Sequence, residues 1–138
     1  MEIRVKLDEG AYAPERAHAT DAGLDIKSPT SIGVMPYGRT KIDTGVHVEI
    51  PEGYVGMLKS KSGLMAWNGI TSEGTIDAGY TGSIQVVLFN NSRDVFIVEP
   101  GMKISQLVIL PVETPRIRVV DSIDGGERGD NGFGSTGK

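Results

Sequence analysis

The sequence predicts a single all-β domain, a sandwich or a barrel, and three observations carry that prediction. Glycine supplies 19 of 138 residues, roughly double the average share, and abundant glycine goes with tight turns and close backbone approaches. Short apolar segments, some alternating and some continuous, recur at lengths that suit strands. Turn residues punctuate the gaps between them.

In chain order, Ile3-Arg4-Val5-Lys6-Leu7 alternates apolar and charged side chains, the period of a strand. Ala22-Gly23-Leu24-Asp25-Ile26 places Asp25 at a strand edge, and Met35-Pro36-Tyr37-Gly38 is a turn. Val46-His47-Val48-Glu49-Ile50 alternates again and ends at the turn Pro51-Glu52-Gly53. The one short helix falls around residues 63–67, where Trp67 is expected to pack at the helix or at a subunit contact. Residues 83–90 read as a strand closed by Asn90-Asn91-Ser92. Val95-Phe96-Ile97-Val98 is a short buried run stopped by Glu99-Pro100-Gly101, and residues 103–110 form the last strand. From Asp121 onward the composition changes to six glycines, four acids and only two large apolar side chains, Ile123 and Phe133. Such a segment holds too little apolar surface to fold alone. The expected organisation is a β domain over residues 1–120 and a flexible arm over residues 121–138.

Composition narrows the function. Fourteen basic against eighteen acidic side chains leave a net charge of −4, which argues against non-specific binding of nucleic acid or of an anionic membrane. No apolar run approaches the roughly 20 residues of a membrane span, and the alternating N-terminus is not a signal peptide. With no cysteine, disulfides, thiolate zinc sites and cysteine nucleophiles are excluded, and a cytoplasmic setting is expected. His18 and His47 are the two histidines, too few for a multi-histidine metal cluster, and both are expected to be surface or strand residues without a catalytic task.

Five segments concentrate groups that could do chemistry. In the arm, residues 128–137 combine Arg128, the hydroxyls of Ser135 and Thr136, one aromatic in Phe133, and glycines that let backbone N–H groups approach an anion. On composition alone the tail reads first as a frayed terminus, and these groups add the reading of a flap over a nucleotide. Lys59-Ser60-Lys61-Ser62-Gly63-Leu64 sets two cations, two hydroxyls and a glycine ahead of the short helix, suited to phosphate or to a solvated turn. Gly74-Thr75-Ile76-Asp77-Ala78-Gly79-Tyr80-Thr81-Gly82 brackets a carboxylate and a tyrosine with glycines. Asp25 and Gln106, each in a strand, are in isolation ordinary polar residues.

Taken together, these segments resemble the trimeric dUTPase family, the deoxyuridine 5′-triphosphate nucleotidohydrolases, from about residue 20 onward. Ala22-Gly23-Leu24-Asp25-Ile26 is similar to the first family motif, Lys61-Ser62-Gly63-Leu64 to the second, and residues 74–82 to the third. Pro100-Gly101-Met102-Lys103-Ile104-Ser105-Gln106-Leu107 resembles the fourth, and residues 128–137 resemble the fifth.

The resemblance implies a jelly-roll-like β-barrel assembled as a homotrimer, with each arm crossing to a site formed by the other two chains. It implies hydrolysis of dUTP to dUMP and pyrophosphate by in-line attack of water on the α-phosphorus, limiting uracil in DNA and supplying dUMP for thymidylate synthesis. Asp77 matches the general base, and Tyr80 matches the tyrosine that packs on the deoxyribose and leaves no room for a 2′-hydroxyl. Lys61, Ser62, Gly63 and Gln106 match contacts to the phosphate chain. Gly74, Thr75 and Ile76 belong to a hairpin, expected within residues 70–76, whose backbone reads uracil. Phe133 would stack on the base, with Arg128, Gly134, Ser135 and Thr136 around the γ-phosphate. Asp25 would hold, through water, a Mg²⁺ chelated by the triphosphate. The chain departs from the family where Lys61 replaces an arginine, Met65 an alanine, Gly79 an acid and Asn131 a glycine, and where the stretch from Gly63 to Asp77 is shorter. Lysine keeps the charge of arginine but not its bidentate fork. Two other readings share the fold: a dCTP deaminase, which would use a glutamate base and lack this arm, and a non-catalytic nucleotide-controlled binding protein.

Overall fold

The computed structural model describes residues 1–137; Lys138, the last residue of the expected arm, lies outside them. The described residues form β1 (Val5–Leu7), β2 (Gly23–Lys27), β3 (Ile32–Val34), β4 (Arg39–Asp43), β5 (Val46–Val48), β6 (Tyr54–Lys59), α1 (Ser62–Asn68), β7 (Ile70–Ile76), β8 (Gln85–Asn90), β9 (Phe96–Val98) and β10 (Lys103–Pro111). A six-stranded antiparallel sheet runs in the order β2-β10-β6-β7-β8-β4, and the pairs β1-β5 and β3-β9 complete the jelly-roll-like barrel. Among the described residues no helix is long and apolar enough to cross a membrane.

The core is aliphatic. Of its fifteen buried hydrophobic residues, twelve are isoleucine or valine and the rest leucine, the β-branched types that fit a pleated, packed surface. Period-two alternation decides which side chains enter it. In β8 the inward set is Val86, Leu88 and Asn90, and in β7 it is Ile70, Ser72 and Ile76. Gly56 marks the tightest point, since a Cβ there would stand 2.9 Å from Leu107 Cδ1 and 3.2 Å from both Ile50 Cδ1 and Ile76 Cβ.

Two expectations are corrected. No hairpin lies within residues 70–76: these seven residues are the single strand β7, whose first half pairs with β8 (Ile70 opposite Asn90) and whose second half pairs with β6 (Ile76 opposite Gly56). The inward alternation of Ile70, Ser72 and Ile76 holds the segment extended, and seven residues cannot supply two strands and a turn as well. Of the two places expected for Trp67, packing at the helix is not made, since the side chain stands 86% exposed; a subunit contact is the other.

The other strand boundaries lie close to the expected ones, with β3, β4 and β6 added. Helix α1 stops at Gly69, whose φ of 69° closes the last turn in the left-handed conformation that glycine tolerates. Beyond Pro111 the chain leaves the sheet. Residues 112–120 form no strand, Ile117 and Val119 stand 86% and 92% exposed, and the arm continues as a string of turns closed by Gly129 N–H to Gly126 O and Ser135 N–H to Gly132 O.

Candidate active site

Strand register brings the first, second and fourth motif segments together. Asp25 of β2 lies opposite Gln106 of β10, Gln106 opposite Lys59 of β6, and Lys59 opposite Glu73 of β7, so one polar row crosses four strands on one face of the sheet. Asp25 is only 4% exposed and is clamped by two cations. Lys103 Nζ lies 2.8 Å from Oδ2, and Lys61 Nζ binds Oδ1. Burial alone would push the Asp25 carboxyl up, but the hydrogen bonds from Lys103 and Lys61 prevail and hold it below its ordinary value.

The loop that carries Lys61 and Ser62 is braced from beneath by hydroxyls. Ser60 Oγ donates to Ser72 O at 3.1 Å and accepts from Ser72 N–H at 2.9 Å. The buried Ser72 and Ser105 hydroxyls meet at 2.9 Å, and Ser105 Oγ donates to Lys59 O. Gln106 uses its amide Nε2 on Ser60 O at 2.9 Å. Its Oε1 fills the space where a Cβ of residue 23 would stand, only 2.1 Å away, so Gly23 makes room for it. Gln106 thus shapes the loop in addition to flanking the place expected for phosphate. Ser62 and Gly63, the first residues of α1, are exposed.

Asp77 stands elsewhere. It follows β7 in the turn Asp77-Ala78-Gly79-Tyr80, closed by Tyr80 N–H to Asp77 O at 3.1 Å. Gly79 has φ 89°, the third-position conformation of a type II turn that glycine supplies without strain. Thr75, Ile76, Asp77, Tyr80 and Gln85 line one shallow cavity. Tyr80 directs its hydroxyl to Ser83 O at 2.9 Å and lays its ring over Gly82. Among the described residues no hydrogen bond or ion pair engages the Asp77 carboxylate, which is exposed. Gly74 packs beneath this strand on Leu58.

The two halves do not meet within the chain. Asp77 lies four residues beyond Glu73 along β7, about 13 Å from the polar row at strand rise. The arm joins neither half. Arg128 turns onto its own backbone, with Nε on Asn131 O at 2.8 Å and Nη2 on Gly132 O at 2.9 Å, and the Phe133 ring is fully exposed. Gly134 (φ 79°), Ser135 and Thr136 are exposed turn residues of the arm. Ser60, Ser72, Lys103 and Ser105 were not among the residues expected at the site. Ser60 and Lys103 sit inside motif segments, whereas Ser72 and Ser105 are hydroxyls on core faces that only the pairing brings together.

The donor set bears on the expected metal. Among the described residues no group of three or more His, Asp or Glu side chains could hold an ion. A lone buried carboxylate between two lysines fits a cation that arrives on an anionic substrate and keeps its own water, and does not fit one held by protein alone.

Comparison with known proteins bears on the whole chain. The dUTPase family model matches residues 9–137. A deoxyuridine 5′-triphosphate nucleotidohydrolase of Clostridium kluyveri is 42% identical, with 99% of each chain covered. Among solved structures, a mutant dUTPase of Staphylococcus bacteriophage 80alpha with dUpNHpp superimposes with a TM-score of 0.93 at 35% identity, covering 99% of both chains. A mutant dUTPase of phage phi11 of S. aureus, described with a structural Mg(II) ion, gives 0.82 at 33% identity over 88% of this chain and 98% of that one. The family model spans nearly the whole chain and the relatives match it over most of their length: the chain belongs to the dUTPase family.

Proposed function

We infer that the chain is a dUTP diphosphatase, releasing dUMP and pyrophosphate. The observation that carries this reading is the Asp77–Tyr80 turn, where an exposed carboxylate without a protein partner shares a cavity with a tyrosine ring. Asp77 takes a proton from a water that attacks the α-phosphorus, the bond from that phosphorus to the bridging oxygen breaks, and pyrophosphate leaves. Tyr80 packs on the deoxyribose. A ribose 2′-hydroxyl pressed on that ring would lose its water partners without replacement, so UTP is disfavoured. With no hairpin at residues 70–76, uracil is read by the exposed edge of β7 at Gly74, Thr75 and Ile76.

Lys61, Ser62, Gly63 and Gln106 take the phosphate chain. Asp25 would hold, through water, a Mg²⁺ that comes with the substrate, with Lys61 and Lys103 turned to phosphate oxygens. When bound, that ion supplies charge neutralisation on the phosphates. The arm, residues 121–138, places Phe133 on the base and Arg128, Gly134, Ser135 and Thr136 at the γ-phosphate.

The distance between the polar row and Asp77 supports a site assembled from several chains of a homotrimer, because one chain does not bring both halves to one triphosphate. The cysteine-free chain suits the cytoplasm, where the reaction keeps uracil out of DNA and yields dUMP for thymidylate synthesis.

Pyrophosphate release from dUTP, with UTP, dTTP and dCTP alongside, tests the assignment. Release from dUTP alone is expected, and Asp77→Asn should bind dUTP while turning over about 10²-fold more slowly or less. Undiminished turnover in that variant would remove Asp77 from its role, and ammonia from dCTP would replace the reaction.

A further inference from the structure

His47, expected from sequence to have no task, is joined to the turn that carries Asp77 and Tyr80. Its Nδ1 lies 2.8 Å from Thr81 O, and its Nε2 lies 3.0 Å from both oxygens of Asp8. The side chain is 20% exposed. We propose that His47 is a positioning residue for the catalytic turn, holding Thr81, and through it Tyr80 and Asp77, in place while its imidazole carries both protons.

The argument is one of donors and acceptors. A backbone carbonyl only accepts, and so does a carboxylate; a neutral imidazole has one N–H and can serve one of them, whereas the imidazolium serves both. The turn has few other ties. Ile84 is fixed on both sides, through Thr44 Oγ1 to Ile84 O at 2.8 Å and Ile84 N–H to Val46 O at 2.8 Å, and Ser83 Oγ reaches Asp43. Between Tyr80 and Ser83 the ring of His47 is the tie from the barrel wall.

The charged groups around it come from three elements. Asp8 follows β1 and favours the proton. Lys6, directly opposite His47 across the β1-β5 pair, disfavours it, and Asp43 at the end of β4 adds a more distant negative charge. Arg4 and Glu49 line the same cavity but are paired with each other, with Arg4 Nε 2.5 Å from Glu49. The Thr81 carbonyl first, and the Asp8 hydrogen bond after it, hold the ring above the ordinary histidine value against partial burial and Lys6. The sign follows: both bonds of the tether are made below the ordinary value, and one of the two is lost as pH rises through the raised one.

This inference rests on the roles given to Asp77 and Tyr80, and its test has a readout that does not need them. Imidazole nitrogen shifts and the Tyr80 and Thr81 amide shifts are followed by NMR from about pH 5 to pH 9, with His18→Gln used to assign the second ring. Turnover of dUTP is measured over the same range at fixed Mg²⁺. The amides are expected to move with the His47 ring, and wild-type kcat to fall on the basic side at the same midpoint. Asp8→Asn, which keeps the ring and the shape of its partner, should lower both midpoints together. His47→Gln should lose that basic limb and run about tenfold slower at neutral pH, the scale of a modest misplacement of catalytic groups. Amides that ignore the ring titration would overturn the tether itself. A ring midpoint that moves in Asp8→Asn while the activity limb stays would overturn its part in turnover, as would a wild-type limb in His47→Gln. Comparing variants on one substrate cancels the titration of dUTP itself. A failure of Asp77→Asn to lower turnover would sink the base assignment instead, whatever the ring does.

Discussion

A side chain at position 82 would occupy the space that Tyr80 fills. An added Cβ would stand 2.5 Å from the Tyr80 hydroxyl oxygen and 2.7 and 3.0 Å from two ring carbons, closer than any real contact allows. Gly82→Ala must therefore push the ring off its place and loosen its bond to Ser83 O, at a position where little else is buried. Surface changes of this kind cost less than about 1 kcal/mol of stability, so the effect should fall on selectivity. The ratio of kcat/KM for dUTP over UTP is expected to drop by about tenfold, a modest loss on the scale by which pockets discriminate, with Tm nearly unchanged. A ratio that holds would mean the ring is not what excludes the 2′-hydroxyl. Asp77 and Tyr80 could be singled out in the sequence because their segment resembles a dUTPase motif; the glycines that bracket them suit a plain hairpin as well. The reason Gly82 is glycine could not be read there, because it depends on where a ring two residues away comes to rest. Gly23 and the Gln106 amide give the same lesson across two strands.

At the scale of elements, the strand alternation of β1, β5, β8 and β10 could be read directly, and the turns between them too. β7 could not, since Thr71-Ser72-Glu73-Gly74 offers little apolar contrast, and its identity comes from partners on both sides. The same pairing hides a buried hydroxyl relay under the loop of Lys61 and Ser62: Ser72 to Ser105, Ser105 to Lys59 O, and Ser60 to Ser72. Neither Ser72 nor Ser105 could be singled out in sequence, because a serine on a core face has no signature until its partner strand is known. Ser105→Ala removes the donor to Lys59 O and the partner of the Ser72 hydroxyl. It should cost about 1–2 kcal/mol in urea unfolding, with the m-value unchanged. Ser72→Ala with Ser105→Ala should cost less than the sum of the two, with a coupling of about 0.5–1 kcal/mol, since the pair is one unit. Strict additivity would show that the hydroxyls act separately.

For the whole molecule, the barrel ends at Pro111, but its apolar surface does not. Ile117, Val119 and Val120 are exposed in an extended segment without a strand partner, and Phe133 is exposed beyond them. Apolar residues spaced by two along unpaired backbone are the pattern of a strand awaiting a second edge. The polar row and the Asp77 turn, about 13 Å apart on one chain, want completion from outside as well. The proposed reading, in which the arm of each chain serves a site whose base belongs to another, accounts for both observations. That reading makes a counting prediction. Asp77→Asn chains keep the arm and lack the base; chains deleted over residues 125–138 keep the base and lack the arm. Each alone should form inactive trimers, which sizing by light scattering confirms. Refolded together in equal amounts, random assembly should leave about a quarter of the sites with a base from one kind of chain and an arm from the other. Turnover should return to roughly that fraction of wild type. A mixture as inactive as its components would mean that each arm closes on its own chain, and the shared site would have to be given up.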